Sequence, residues 1–156
     1  MIEEDRNSRD YWNKRVKQHK SNEQRMIWYG DDWKHEAINF ITERILTTFE
    51  GCTALDLGCG FGRWCHLFYP HKYLGVDFSS EMISLAKEKN SAYDFEVDDI
   101  KTYVPKKKFD LIFEVMSAGD FALQTSEFVE KYTPYANVAV VCIHPTETFI
   151  KFIDIS

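Results

Sequence analysis

The feature that most restricts how this chain can fold is a run of three alternate glycines directly after a short apolar segment. Gly58, Gly60 and Gly62 lie within ALDLGCGFGRW, residues 54–64. The apolar residues predict a strand that ends at the glycines, and the residues beyond them predict a helix. Glycines permit positive φ angles and let a ligand approach the backbone, and amides at a helix start can donate to an anion. The segment therefore predicts a ligand-binding loop that suits a carboxylate or a pyrophosphate.

Short apolar runs alternate with helical stretches after residue 52, and they predict five strands: TALDL, KYLGVD, YDFEVD, FDLIFEVM and NVAVVCI. Several are almost continuously apolar, which is typical of parallel strands covered by helices on both faces. The connection SSEMISLAKEKN predicts a crossover helix with Ser79 or Ser80 as its N-cap. The predicted fold class is α/β, a doubly wound, mostly parallel sheet of five to six strands flanked by helices. Such sheets bind ligands at the carboxyl ends of their strands, near the switch in strand order.

Helices are predicted ahead of the strands, and the end of the chain is left open. The first fifty residues contain no Pro and one Gly, and Gly30 divides them into two helical segments. In the second segment apolar residues recur at helical spacing and predict a face that lies on the sheet: Ala37, Ile38, Ile41, Ile45, Leu46 and Phe49. The tail after Cys142 fits either a sixth strand or a short helix.

Charge and cysteine content argue against several functions. The chain has 19 Lys and Arg against 25 Asp and Glu, a formal net charge of −6, which disfavours a nucleic-acid partner. Its four cysteines lack the spacing of a zinc site, so free thiols and no metal site are expected. The N-terminus is charged and no apolar run approaches ~18 residues, so neither a signal peptide nor a membrane span is expected. A cytoplasmic protein without a membrane partner is predicted.

Two classes of cofactor suit a glycine loop, and the glycine spacing separates them. A dinucleotide fingerprint, Gly-x-Gly-x-x-Gly, would need a glycine where this chain has Arg63. An acidic residue followed by Gly-x-Gly-x-Gly instead resembles the first motif of the class I S-adenosylmethionine-dependent methyltransferase family, which has a Rossmann-like fold. The resemblance covers about residues 53–143 and implies S-adenosylmethionine as the cofactor. The implied cofactor contacts in this motif are Asp56, Gly58, Cys59 and Gly60.

Two later segments resemble the family's second and third motifs. Asp77 ends the strand YLGVD, and the resemblance implies that its carboxylate accepts the ribose hydroxyls; capping of the next helix is the alternative. In FEVDDI, Asp98 or Asp99 would accept from the adenine amino group while a neighbouring backbone amide donates to the ring; a surface turn is the alternative. Phe78 would pack on the adenine. The residues implied around the adenosine are Asp77, Phe78, Met82, Asp98, Asp99 and Ile100.

The fourth and fifth predicted strands carry polar residues near their carboxyl ends. Glu114 is expected to face the methionine end of the cofactor or the substrate. A base is needed only if the methyl acceptor loses a proton, and Glu114, Asp120 and His144 are candidates. A strand exit before Pro145 is the competing explanation for His144, and helix capping for Asp120, so the catalytic residue is left unknown. Asp110, at the start of its strand, is expected to be structural.

The resemblance implies a transferase that methylates a small molecule. The Asp/Asn-Pro-Pro-Tyr/Phe/Trp segment expected in enzymes that methylate adenine is absent. Residues 11–15, YWNKR, resemble a segment that small-molecule methyltransferases place over the cofactor as a lid. One domain over 1–156 is expected, with N-terminal helices over 1–50, a cofactor-binding core over 53–143 and a shortened C-terminus. The alternative is a non-catalytic S-adenosylmethionine-binding subunit or fragment that needs a partner, and a homodimer is also left open.

Overall fold

The structure, a computed structural model, describes residues 9–18, 32–115, 124–144 and 147–153. Its helices and strands, numbered in chain order, are α1 (Arg9–Gln18), α2 (Asp32–Leu46), β1 (Ala54–Leu57), β2 (Tyr73–Asp77), α3 (Ser80–Lys89), β3 (Asp94–Val97), β4 (Phe109–Val115), α4 (Thr125–Tyr132), β5 (Ala136–Ile143) and β6 (Thr148–Phe152). Gly30 and Asp120, which the sequence singled out, lie outside the described residues, as does the side chain of Arg15.

Six strands form one sheet in the order β3-β2-β1-β4-β5-β6. The first five pair in parallel, and β6 pairs antiparallel with β5. The α/β fold with a mostly parallel sheet is therefore confirmed, and the tail forms a strand rather than a helix. Between β5 and β6 the His144 amide donates to the Glu147 carbonyl at 3.0 Å. The strand order switches between β1 and β4, whose carboxyl ends border the expected ligand crevice.

The sheet is covered by apolar residues on both faces. β1, β4 and most of β5 are buried, as their continuous apolar sequences predict. Successive side chains of a strand point to opposite faces, so each central strand contributes to two cores. One face packs against Leu46 of α2 and Ile83 of α3, and we call it the α2–α3 face. The other packs against Phe128 and Tyr132 of α4, and we call it the α4 face.

α3 begins and ends where its sequence predicts. Ser79 has extended backbone angles, and its hydroxyl accepts a hydrogen bond from the Met82 amide at 3.2 Å, so Ser79 rather than Ser80 is the N-cap. Lys87 and Lys89 lie in the last turn, where positive charge is favourable beside the helix carbonyls. The helix connects β2 to β3 and places its N-terminus at the carboxyl edge of the sheet.

The buried side of α2 differs from the predicted one. Ala37 and Ile41 are exposed, Ile41 by 47%, whereas Thr42 and Leu46 are fully buried. Phe49, in the 3₁₀ turn that continues the helix, is buried as predicted. The apolar spacing identified a helix correctly. It gave the wrong face over the N-terminal half because α2 meets the core through its C-terminal turns, where the threonine faces inward.

The helix predicted directly after the glycine loop is absent from the described residues 58–72, and that prediction was wrong. The chain instead forms tight turns, with 3₁₀ turns at Cys65–Leu67 and Pro70–Lys72. The hydrogen bonds of this region close over three residues, as from the Cys65 amide to the Gly62 carbonyl at 3.1 Å. Gly62 has a φ of 82°, which a right-handed helix cannot include. A compact loop therefore joins β1 to β2, without a helix N-terminus pointing at a ligand.

Two further sequence expectations concern the thiols and the membrane. Cys52, Cys59, Cys65 and Cys142 are all free, and the last three are buried. Burial raises the pKa of the Cys59 thiol well above its usual range, which makes it a core residue rather than a nucleophile. No described helix has the length and apolar character that crossing a membrane requires.

Candidate functional site

The glycine loop leaves the carboxyl end of β1 beside the switch in strand order. Gly58, Gly60 and Gly62 have φ values of 79°, 56° and 82°. Residues with a Cβ rarely adopt this left-handed region, so the backbone path depends on all three glycines. The path keeps Gly60 buried and leaves Gly58 half-buried at the loop's edge. The loop with positive φ angles that the glycines predict is therefore present, although the turns that follow it are not helical.

The amide groups of this loop donate within the protein, which corrects the predicted anion-binding role. The amides of Gly58 and Cys59 both donate to the Val76 carbonyl, at 2.7 Å and 3.0 Å. The Gly60 amide donates to Oδ2 of Asp77 at 2.9 Å. Because each N–H has one proton to donate, these amides do not offer donors to a carboxylate or pyrophosphate in this conformation.

Gly62 serves packing more than ligand access. A Cβ on Gly62 would lie 2.7 Å from Cζ of Phe95, and a Cβ on Gly75 would lie 2.8 Å from Cδ1 of the same ring and 2.9 Å from Sγ of Cys59. The missing side chains of these two glycines make room for the buried Phe95 ring on the α2–α3 face. Cys59, expected near the cofactor, thus directs its side chain into this core.

Asp77 stands at the carboxyl end of β2 and fastens the loop to it. Its Oδ2 accepts from the Gly60 amide and its Oδ1 from the Ser79 amide, both at 2.9 Å. Burial raises the pKa of Asp77 to about 6, although both amides act to lower it. Each carboxylate oxygen has a further lone pair, so the group can still accept from hydroxyls. Helix capping by Asp77, the alternative interpretation, is excluded because the cap of α3 is Ser79.

Asp56 lies in β1, two residues before the glycine loop begins, and its side chain points to the α2–α3 face. It is 1% exposed, and its Oδ2 accepts from the Tyr73 hydroxyl at 2.6 Å. Burial raises the pKa of Asp56 to about 7; the Tyr73 hydrogen bond lowers it, while Asp77 and Glu114 raise it further. Two buried acids, Asp56 and Asp77, thus make the surroundings of the loop electronegative.

The turn after β3 lies next to Asp77. The Asp98 amide donates to the Asp77 carbonyl at 3.0 Å, and the Asp98 side chain is exposed. Oδ1 of Asp99 accepts from the Lys101 amide at 2.9 Å within the turn. Ile100 is buried, and its carbonyl accepts from the Tyr132 hydroxyl at 2.7 Å. Of the two acids, Asp98 is the one whose carboxylate lies at the surface beside Asp77.

α1 packs against the start of α3, beside the same edge. Trp12 and Val16 form a buried apolar cluster with Met82, against which Phe78 packs. Asn13 accepts through Oδ1 from the Ser79 hydroxyl at 2.5 Å, so α1 is tied to the N-cap of α3. Asn13 lies within YWNKR, the segment that resembles a lid, but the sequence gave this residue no role of its own. Met82 is 1% exposed, so its side chain belongs to this cluster.

Glu114 points away from Asp56. Side chains two residues apart on a strand point to the same face. Glu114 is two residues from Ile112, which packs on the α4 face, whereas Asp56 is two residues from Ala54, which packs on the α2–α3 face. The structure therefore brings Glu114 to His144, with Oε1 and Nε2 2.5 Å apart, rather than to the predicted acids. Within the described ranges, no three His, Cys, Asp or Glu side chains are grouped so that they could hold a metal ion.

Asp110 is structural, as expected, and lies at the opposite end of the sheet. Its Oδ2 accepts from the Thr53 amide at 3.1 Å and its Oδ1 from the Asn137 side chain at 3.2 Å. Burial acts to raise the pKa of Asp110, but these hydrogen bonds and Lys72 outweigh it, and the pKa is lowered.

Comparisons with known proteins agree with this architecture. A solved magnesium protoporphyrin IX methyltransferase from Synechocystis with bound S-adenosylmethionine has a TM-score of 0.61 and 19% identity, over 86% of this chain and 72% of that one. A phosphoethanolamine N-methyltransferase from Haemonchus contortus, in complex with phosphoethanolamine and S-adenosylhomocysteine, has a TM-score of 0.64 and 18% identity, over 86% and 31%. At these identities the likeness shows the fold.

Sequence comparisons identify the family. Malonyl-[acyl-carrier protein] O-methyltransferase 1 from Ilyobacter polytropus is 36% identical over a 66-residue alignment that covers 38% of this chain and 25% of that protein. The chain thus spans a quarter of the curated relative that it matches. A family profile described as a methyltransferase domain matches residues 48–133, from the 3₁₀ turn after α2 through α4. The chain therefore belongs to the methyltransferase domain family of class I, S-adenosylmethionine-dependent enzymes.

Proposed function

We propose that this protein binds S-adenosylmethionine and transfers its methyl group to a small molecule. The observation that carries this proposal is the meeting of the glycine loop and Asp77 at one edge of the sheet. The three glycines of the loop carry no Cβ and have positive φ angles, and the carboxylate at the neighbouring strand end keeps lone pairs for hydroxyl donors.

Electrostatics favour this cofactor over a dinucleotide. S-adenosylmethionine carries a sulfonium and an ammonium group against one carboxylate, so its net charge is positive, whereas a dinucleotide brings a pyrophosphate with two negative charges. The loop amides at Gly58, Cys59 and Gly60 are used within the protein, and Asp56 and Asp77 supply buried negative charge when ionised. A cationic ligand gains from those carboxylates, while a pyrophosphate would be repelled and would lack donors.

The residues present can hold each part of the cofactor. Asp77 would accept from the ribose hydroxyls, Asp98 from the adenine amino group, and the Ile100 amide would donate to the ring. Phe78 would cover the adenine, and the backbone at Gly58 and Gly60, together with Asp56, would surround the amino-acid part. Bound S-adenosylmethionine supplies a methyl carbon already activated by sulfur, so the protein has mainly to orient the acceptor and exclude water.

A small methyl acceptor is consistent with the net charge of the chain and with the named substrates of similar enzymes. A net charge of −6 disfavours a polyanionic substrate. The relatives with named substrates include enzymes for magnesium protoporphyrin IX and phosphoethanolamine. Four free cysteines suit a reducing compartment, so we place the protein in the cytoplasm. A non-catalytic binding subunit that needs a partner is the second candidate, because the chain spans a quarter of its curated relative.

Calorimetry with three ligands tests the proposal. We expect heat of binding with S-adenosylmethionine and with S-adenosylhomocysteine and none with NAD. Binding of NAD alone would overturn the cofactor assignment. Methylation of a small acceptor by the chain alone would exclude the non-catalytic alternative, whereas binding without turnover until a second protein is added would favour it.

Asp77→Ala tests the ribose contact. We expect it to weaken cofactor binding by about 1–3 kcal/mol, since charge-assisted hydrogen bonds are lost. Asp77→Asn removes the charge and keeps one acceptor oxygen, but it replaces the other oxygen, which accepts from a backbone amide, with an NH₂ donor. Circular dichroism confirms that both variants fold. Asp94→Ala, at an exposed site at the start of β3, is the matched control and should leave affinity unchanged. Unchanged affinity in folded Asp77→Ala would refute the ribose role.

A further inference from the structure

Glu114 and His144 form a contact that the proposed cofactor site does not use. Glu114 is fully buried near the carboxyl end of β4, and its Oε1 lies 2.5 Å from Nε2 of His144. His144 directly follows β5, and its side chain is 18% exposed. Cys142, opposite Glu114 in the register, hydrogen-bonds to the same carboxyl group. A buried carboxylate requires such partners. The contact with Glu114 in turn holds the His144 imidazole in one position.

The chemistry of this pair determines which ring nitrogen carries the proton. A carboxylate can only accept a hydrogen bond, so Nε2 of His144 donates to Glu114. In the neutral imidazole the lone pair is then on Nδ1. A carboxylate that holds histidine in one tautomer is the arrangement by which hydrolases prepare a histidine to take a proton from a hydroxyl.

The pair also lies at the carboxyl edge of the sheet, where we expect the methyl acceptor to approach. In the proposed function Asp77 and Asp98 hold the adenosine at the ends of β2 and β3, which would direct the reactive end of the cofactor towards β4 and β5. Among the described residues, the ionisable side chains at the carboxyl ends of those two strands are Glu114, Cys142, His144 and, in the following turn, Glu147. The Cys142 thiol is buried and Glu147 is exposed.

We propose that His144, oriented by Glu114, takes a proton from the methyl acceptor, and that the acceptor is a small molecule with a reacting alcohol or phenol. This inference rests on the proposed function and names its substrate class. The proton passes from the acceptor oxygen to Nδ1 of His144. An oxygen electron pair forms the bond to the methyl carbon, and the pair of the broken carbon–sulfur bond stays on sulfur. Glu114 acts through His144 and is a positioning residue.

The tautomer can be measured in the cofactor-free full-length chain by ¹⁵N NMR of labelled histidines. The chain has five histidines. His66 and His71 are exposed and serve as internal references, and the signal that disappears in His144→Gln is assigned to His144. We expect a protonated Nε2 and an unprotonated Nδ1 at pH 8. Glu114→Gln should mix the tautomers, because an amide can donate as well as accept. A proton on Nδ1 in the wild-type chain would overturn the inference.

Turnover distinguishes a proton acceptor from a structural histidine. The full chain is given isotopically labelled S-adenosylmethionine with small phenols and alcohols, and separately with small carboxylates and thioethers, which have no proton to lose at pH 8. We expect His144→Gln to slow methylation of the hydroxyl acceptors by about 10²–10⁴-fold, with unchanged cofactor affinity by calorimetry. The wild-type rate should rise with pH to a plateau. The titratable group in contact with Glu114 is Cys142, and Asp56, on the opposite face of the sheet, interacts with Glu114 through its charge.

The outcomes separate this inference from the proposed function. An undiminished rate in His144→Gln, or methylation confined to carboxylates or thioethers, would overturn the inference while the function stood. Absence of S-adenosylmethionine binding in the wild-type chain would refute the function itself. The NMR measurement needs neither ligand nor acceptor, so it decides on the pair even if the true acceptor is outside the panel.

Discussion

Asp56, the buried acid below the glycine loop, allows the electrostatics of the site to be measured without any ligand. Burial raises its pKa to about 7, despite the hydrogen bond from Tyr73. An acid whose folded pKa lies above its unfolded value contributes stability that is complete below the unfolded pKa and is lost as pH rises through the folded one. Ionisation of Asp56 therefore destabilises the cofactor-free fold, progressively from about pH 4 to about pH 7.

The magnitude follows from the pKa. A rise from 3.8 to about 7 is roughly three units, and each unit corresponds to about 1.4 kcal/mol, so the full effect is about 4 kcal/mol. In Asp56→Asn the charge is removed, and the amide oxygen still accepts from the Tyr73 hydroxyl. Burying the amide NH₂ costs about 1–3 kcal/mol at every pH. The stability of the variant relative to wild type should therefore increase by about 3 kcal/mol between pH 4.5 and pH 8.

Urea unfolding across this pH range, followed by tryptophan fluorescence, measures the difference. Asp110→Asn is the matched control with the opposite sign, because the pKa of Asp110 is lowered in the fold. Its contribution is present above the unfolded pKa and is lost as pH falls, so this variant should be less stable than wild type at pH 8. A stability difference for Asp56→Asn that stayed constant from pH 4.5 to pH 8 would refute the buried-acid account of the site.

Two remaining predictions concern the scaffold. Gly62→Ala should destabilise the fold by more than about 2 kcal/mol in urea, because its Cβ would lie 2.7 Å from Phe95 and φ is 82°. Gly51→Ala, whose Cβ would meet nothing within 4 Å, is its control, and equal losses would contradict the packing role. Ser79→Ala should cost about 1–2 kcal/mol because the amide of Met82 loses its cap, and an unchanged Tm would show that the cap is dispensable.

The succession of strands could be predicted because the central ones are continuous apolar runs bounded by polar residues. β1, β4 and β5 match the segments TALDL, FDLIFEVM and NVAVVCI to within about two residues at each end. Their order in the sheet could not be derived from any one segment, since pairing depends on contacts between distant residues. The face of α2 was misjudged for a similar reason: its spacing encodes a helix, but the place where that helix touches the sheet is set by the loop that follows it.

The site was predicted in part. The position of Asp77 at a strand end and the presence of a loop with three alternate glycines were both evident from the sequence. The direction of the loop amides was not, because Gly60 and Asp77 meet across the junction of two parallel strands. That one contact changes the chemistry of the loop: amides that could have received an anion donate within the protein, and the buried acids beside the loop are Asp56 and Asp77. The same glycine pattern can thus serve ligands of opposite charge, depending on where its N–H groups donate.

The pairing of Glu114 with His144 depends on an irregularity at the far end of the sheet. Phe109 pairs with Ala136, but Leu111 pairs with Ala139, so β5 gains one residue over β4 beside Asp110. Without that shift Glu114 would pair with Val141. With it, Glu114 pairs with Cys142, and His144, two residues on, follows on the same face. Asp110 accepts from Asn137 at the shift. The strand register set at this end of the sheet therefore determines which residue meets the buried carboxylate at the other end.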